Sequence, residues 1–154
     1  MRHLFQTADS LPLALVRLGL GVVMFTHGAQ KMLGWFGGNG FSATMGFFTH
    51  SGIPAPFAFL AIAAEFFGGI GLILGFLSRI GAFGILCNMA VAIARVHAAN
   101  GFFMNWTGAK KGEGFEYHIL AIAMALAVVI GGAGAFSLDR LAARPSAARL
   151  KGPV

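Results

Sequence analysis

Four long apolar runs separated by short polar or glycine-rich stretches organise the chain: residues 11–33, 57–77, 80–99 and 117–136. A helix needs roughly 20 residues to cross the hydrocarbon core of a bilayer, and each run is long enough. The third is the most interrupted. Its unbroken apolar part ends at Ala94, so a crossing takes Arg95 and His97 into the helix near one end, where a long side chain can reach the interface. The pattern predicts an all-α integral membrane four-helix bundle.

Residues 34–56, between the first two runs, are too many for a hairpin and are rich in Gly and Phe. Phe41, Met45 and Phe48 recur at spacings of four and three, which places them on one face of a short helix, with Ser42, Thr49 and His50 among its polar neighbours. Gly52 and Pro54 would end it. We expect a short interfacial helix in this first outer loop, the alternative being an irregular glycine-rich loop. The second outer connection, 100–116, carries Phe102, Phe103 and Trp106, residues suited to a membrane interface. Residues 1–139 read as one membrane domain, and 140–154 as a basic, disordered cytoplasmic tail.

Composition supports the membrane reading: 57% of residues are hydrophobic and 10% charged, against roughly 25% charged in soluble domains. The formal charge of +6 does not indicate nucleic acid, because the basic residues are not gathered on an amphipathic element among exposed aromatics. The single cysteine, Cys87, excludes the paired-cysteine exchange of quinone-linked thiol oxidases. The first run is longer than a signal-peptide core and no A-x-A type cleavage site follows it, so it reads as a retained helix. With both termini inside, the inner flanks hold Arg2, Arg79, Arg140, Arg144, Arg149 and Lys151 against Lys110 and Lys111 outside. That count predicts cytoplasmic termini.

Glu65 lies two residues from the centre of the second run. An ionisable group at that depth costs on the order of 2.5 to 3.5 kcal/mol to insert and calls for a partner, a proton or a pathway. On the first helix, Arg17, His27 and Lys31 share an arc of about 80° and supply candidate partners. Asn88 and Arg95 lie seven apart on nearly one face of the third helix, with Asn88 assigned to the inner half. His97 should point about 200° from Arg95 if that helix stays regular. Glu116, Tyr117 and His118 fall at the outer mouth of the fourth. His27, Lys31, Glu65, Arg95, His97, Glu116 and His118 would thus line a polar cavity open to the outer side. No H-E-x-x-H, E-x-x-H or C-x-x-C spacing is present, so no metal site is assigned. Cation and carboxylate pairs at this depth suit a quinone head group, whose oxygens need a donor and a proton source. Gly71 and Gly75 form a G-x-x-x-G pair, with Gly68 beside them, and predict a flat packing face on the second helix.

Several pieces then fall into one order: Arg17-x-x-x-Gly21, His27-Gly28-x-x-Lys31, Gly52-Ile53-Pro54, Glu65-x-x-Gly68-Gly69 with Gly75 and Arg79, His97, Gly101-Phe102-Phe103, Glu116-Tyr117 and Ser137-Leu138-Asp139. Together they resemble the DoxX family across nearly the whole chain to Asp139. One departure is Ala133, where many relatives are expected to carry proline. The resemblance implies a four-helix protein of the bacterial inner membrane, akin to the membrane subunit of thiosulfate:quinone oxidoreductase and to members associated with oxidative-stress or thiol-homeostasis complexes.

On this reading Glu65, Lys31 and His27 are the catalytic or proton-exchanging residues, and Arg17, Glu65, Arg95 and Glu116 hold the ligand. Such a pocket admits a quinone as cofactor, although residue spacing alone does not select quinone over another polar ligand. Electrons would come from a soluble or membrane-bound redox partner, since the chain has no recognisable flavin, haem or iron–sulfur motif. A homo-oligomer is compatible with the same surface. Two rivals stand beside this reading: a transporter for a small solute or ion using Glu65 as a midplane site, and a structural membrane anchor that recruits a partner protein.

Overall fold

The computed structural model describes residues 2–143, and among them every regular element is helical. A single turn, α1 (Arg2–Phe5), precedes α2 (Leu11–Leu33). Ser10 caps α2 by accepting from Leu13 N, and Gly34, at φ 74°, ends it. A 3₁₀ turn at Trp35–Gly37 leads into α3 (Gly40–His50). The expected short helix is therefore present, and Phe41 on it meets Phe59 edge-on, with ring centroids 6.3 Å apart. Gly52 takes a φ of +80° just past its end. Pro54 and Pro56 then open α4 (Ala55–Leu74), consistent with proline's tolerance in a first helical turn.

The chain reverses through Gly75 and Leu77 into α5 (Ser78–Ala92), which continues as a π-helical turn at Ile93–His97 and a 3₁₀ turn at Ala98–Asn100. After a long loop, α6 (Glu116–Gly131) ends where Gly132 adopts a φ of 84°. The last element, α7 (Leu138–Ala143), crosses the boundary expected after Asp139, and the remainder of the expected tail, from residue 144, lies outside the described residues. Leu11–Leu33, Ala55–Leu74 and Ser78–Asn100 are long and apolar enough to cross a membrane. Helix α6 stops five residues short of its expected end. Its 16 residues rise about 24 Å, less than the roughly 30 Å of a bilayer core.

Helix α4 packs on α2 and on α5, and α6 packs on α5 and α2. Leu20, Met24, Leu72, Ile85, Ala125 and Val128 interlock at the centre. Backbone contact brings α2 and α4 together: a Cβ added at Gly28 would lie 2.4 Å from Phe66 N, and one at Gly69 would lie 2.5 Å from Phe25 N. On the other flank of α4, a Cβ at Gly68 would lie 3.2 Å from Gly81 O of α5. Of the expected Gly68/Gly71/Gly75 face, Gly68 makes the close interhelical approach. Gly75 is a left-handed helix terminus, and adjacent Gly68 and Gly69 each admit a different neighbour.

Where α4 turns into α5, two buried charges satisfy helix ends. Arg17 is fully buried, and its guanidinium donates to the carbonyls of Leu72, Ile73, Ala133, Ala135 and Phe136. Asp139, 1% exposed, accepts from Leu77 N at 2.8 Å and Ser78 N at 2.9 Å. A cation thus sits at the carbonyl end of α4 and an anion at the amide end of α5, each with the sign the helix dipole favours. Leu77 has a φ of 48°, which a residue with a Cβ disfavours by about 1–2 kcal/mol, and Asp139 pins that turn. Arg79 serves α6 similarly, donating to Val129 and Ile130 carbonyls and to Gln6 O.

Candidate functional site

Glu65 is 4% exposed, midway along α4, and side chains from both neighbouring helices meet it. Lys31 Nζ of α2 forms an ion pair with Oε2, and Asn88 Nδ2 of α5 donates to Oε1 at 2.7 Å. Asn88 Nδ2 also reaches Ala61 O at 3.5 Å. The close glycine seam sets this up: Gly28 abuts the Glu65–Phe66 backbone, and Lys31, one turn along α2, is brought beside the carboxylate. Both oxygens of a charge buried at membrane depth are thereby engaged, as insertion energetics demand.

This cluster forms one wall of an open cleft of about 1120 Å³, somewhat more than the 300–1,000 Å³ typical of small-molecule sites. His27, Lys31, Glu65, Asn88, Arg95, His97, Glu113, Tyr117 and His118 contribute its polar lining. Small residues including Ala61, Ala64, Gly84 and Cys87 line its apolar part between α4 and α5, among side chains such as Phe57, Phe67 and Phe83. A molecule with a polar head and an apolar tail matches that division.

A row of rings runs along the polar end. The centroids of His97 and His118 are 4.0 Å apart, those of His118 and Tyr117 5.4 Å, and those of Tyr117 and His27 6.2 Å. His97 Nδ1 lies 2.8 Å from Glu113 O, so this nitrogen carries the hydrogen and donates it. Tyr117 Oη and His118 Nδ1 are buried and make no hydrogen bond among the described residues. Leaving a buried polar atom unsatisfied costs about 1–3 kcal/mol; among the described residues Ser78 Oγ and Arg79 Nε share this state near the α4–α5 turn, whereas Tyr117 and His118 are the two that line the cleft.

The structure brings Glu65, Lys31 and His27 together, with Arg95 on the same cleft. Arg95 Nη2 donates to Gly52 O at 3.3 Å, linking the π turn to the loop after α3. Two expected ligand holders are placed elsewhere. Arg17 lies ten residues before His27 on α2, about 15 Å along the axis, with every guanidinium nitrogen engaged by carbonyls. Glu116 lies off the cleft and organises the preceding loop, its Oε1 accepting from Met104 N at 2.8 Å and Trp106 Nε1 at 3.3 Å.

The helix that carries Arg95 and His97 does not stay regular. The π turn at Ile93–His97 is wider than an α turn, and both side chains line one cleft. Asn88 also belongs with Glu65 and not in a separate inner half. Glu65 lies nine residues before the end of α4 and Asn88 ten after the start of α5, so the tight reversal sets them level. Counting outward from the Gly75 turn would have found the pair. Among the described residues, no group of three or more His, Cys, Asp or Glu is placed to hold a metal ion.

Helices long and apolar enough to cross a bilayer, joined about a buried ion pair and an amphipathic cleft, define a multi-pass helical membrane protein. The model of the DoxX family matches residues 13–98, more than half of the chain, and the protein belongs to the DoxX family. The matched stretch contains Lys31, Glu65, Asn88, Arg95 and His97 and ends before Tyr117 and His118. No curated protein matches the chain, and no solved structure matches it.

Proposed function

We propose that this protein is a redox-associated membrane subunit whose cleft receives a quinone head group, with Glu65, Lys31 and His27 exchanging protons with it. The observation that carries the reading is the Lys31–Glu65–Asn88 cluster, buried at membrane depth yet forming the wall of a cleft whose remainder is apolar. A carboxylate and an ammonium in contact can supply and recover a proton at a ligand oxygen, and the apolar groove suits the tail of a lipid-soluble carrier. Arg95 stands at the outer rim as a further positive group. Electrons come from a partner protein.

In this proposal the chain is a four-helix bundle of the bacterial inner membrane with cytoplasmic termini. Helix α6 makes the fourth crossing despite its shorter length, and α3 lies at the outer interface. The lysine and arginine distribution supports that orientation.

The deciding experiment is quinone content. Protein purified in mild detergent is extracted, and wild type is compared with Glu65→Gln by chromatography. Near-stoichiometric quinone in wild type and little in the variant is the expected result. Its absence from both, with flux of a small solute into proteoliposomes, would replace the proposal with transport.

A further inference from the structure

We infer that Tyr117 and His118, which line the same cleft as the Lys31–Glu65 pair, are the hydrogen-bonding residues that fix the oxygen of the ligand's head group. This rests on the reading of the cleft as a quinone site and adds residues from outside the stretch matched by the family model, 13–98.

Adjacent positions at the start of α6 place both side chains on the cleft lining. His118 is 6% exposed, and its Nδ1, like Tyr117 Oη, lacks a hydrogen-bond partner among the described residues. Several polar groups around them are committed elsewhere. Lys31 and Asn88 are engaged by Glu65, and His97 Nδ1 by Glu113 O. The titratable groups that line the cleft with His118 are His97 and Arg95 on the π turn, Glu113 in the loop before α6, His27 and Lys31 on α2, Glu65 on α4 and Tyr117 on α6 itself.

The chemistry of the pair selects a ligand that changes between acceptor and donor. A phenol donates one hydrogen and also accepts, and a neutral imidazole donates from one nitrogen and accepts at the other. The oxidised head group presents carbonyl oxygens that accept from Tyr117 and His118. The reduced one presents hydroxyls that donate to an imidazole lone pair. A lysine, which only donates, and a carboxylate, which only accepts, cannot each serve both forms. Tyr117 and His118 can, with no change beyond hydroxyl rotation and imidazole tautomer.

The test uses the full chain in phosphatidylcholine nanodiscs with decylubiquinone as probe. Cys87 is the sole cysteine and is exposed on the cleft lining, so protection of it from N-ethylmaleimide reports occupancy without any redox partner. Tyr117→Phe removes one hydroxyl, His118→Phe removes the ring nitrogens, and His118→Gln restores a group that both donates and accepts. Each phenylalanine variant should require about fivefold or more probe for half-protection, the size of one lost hydrogen bond, and His118→Gln should recover most of the loss. Should His118→Phe not fold, Tyr117→Phe carries the test alone. Wild-type protection in Tyr117→Phe and in the His118 variants, with protection lost in Glu65→Gln, would overturn the assignment and leave the quinone site standing. No protection even in wild type would overturn both.

Discussion

The seam between α2 and α4 makes a sharp forecast for Gly28→Ala. The added Cβ would sit 2.4 Å from Phe66 N, 2.5 Å from Phe66 Cα and 2.7 Å from Glu65 C, all backbone atoms of α4. No rotamer change relieves such contacts. Ordinary separation begins at about 3.4 Å, so α4 must recede by about 1 Å at this level. Overpacking of this kind costs about 1–3 kcal/mol, while replacing Gly in a helix returns about 0.8–1.0 kcal/mol. Gly46→Ala on α3 supplies the control, because nothing lies within 4 Å of its new Cβ and only the favourable helix contribution applies. The difference between the two variants isolates the packing penalty of about 1–3 kcal/mol, or about 5- to 150-fold in the folded-to-unfolded ratio. Unfolding by sodium dodecyl sulfate in dodecyl maltoside micelles, followed by circular dichroism, measures it. Equal stability of the two variants, or a more stable Gly28→Ala, would refute the seam. Receding helices would also part Lys31 from Glu65, so Gly28→Ala should bind the quinone probe more weakly even when folded.

Three further outcomes follow from the charges. Lys31→Met should destabilise by about 3–5 kcal/mol in the same assay by leaving Glu65 facing no cation, and adding Glu65→Gln should recover a large part; a purely additive double mutant would argue against a coupled pair. Asp139→Ala should lower stability by about 1–2 kcal/mol through loss of the α5 cap, with Asp139→Asn losing less because one acceptor survives. Arg17→Lys should lower the folded fraction, since an ammonium cannot span the carbonyls a guanidinium reaches, while the folded fraction keeps its affinity for decylubiquinone. A selective loss of affinity would instead return Arg17 to the ligand.

The apolar runs were legible because a membrane-crossing helix must be apolar over most of its length. The first helix has the very bounds its pattern predicts, Leu11–Leu33. Ends set by backbone conformation were less legible. Helix α6 stops at Gly131 because Gly132 and Gly134 turn the chain at positive φ, although apolar residues continue beyond. Glu65 and Lys31 could be singled out because charge in an apolar run is conspicuous. Asn88 and Tyr117 were harder, since a neutral polar side chain in such a run attracts notice only once its neighbour across the helix pair is known. A regular third helix was expected to keep Arg95 and His97 from one site, yet the segment ends in a π turn and the cleft takes in both. Arg17 drew attention through its place in an apolar run and the arc it shares with His27 and Lys31, and the carbonyls it meets are ones that only the folded chain brings to it.

The positions of Arg17 and Asp139 in the chain also bear on how the protein is made. Synthesis delivers Arg17 early, so the carbonyls at the end of α4 meet their cation as soon as that helix arrives. The amides at the start of α5 must wait for Asp139, roughly sixty residues later, once α6 has been laid against the others. Until then, Leu77 has no carboxylate to hold its left-handed turn. The Asp139 latch on the corner between α4 and α5 is therefore a late event in biosynthesis, and a nascent chain that has not yet presented Asp139 keeps that corner unlatched.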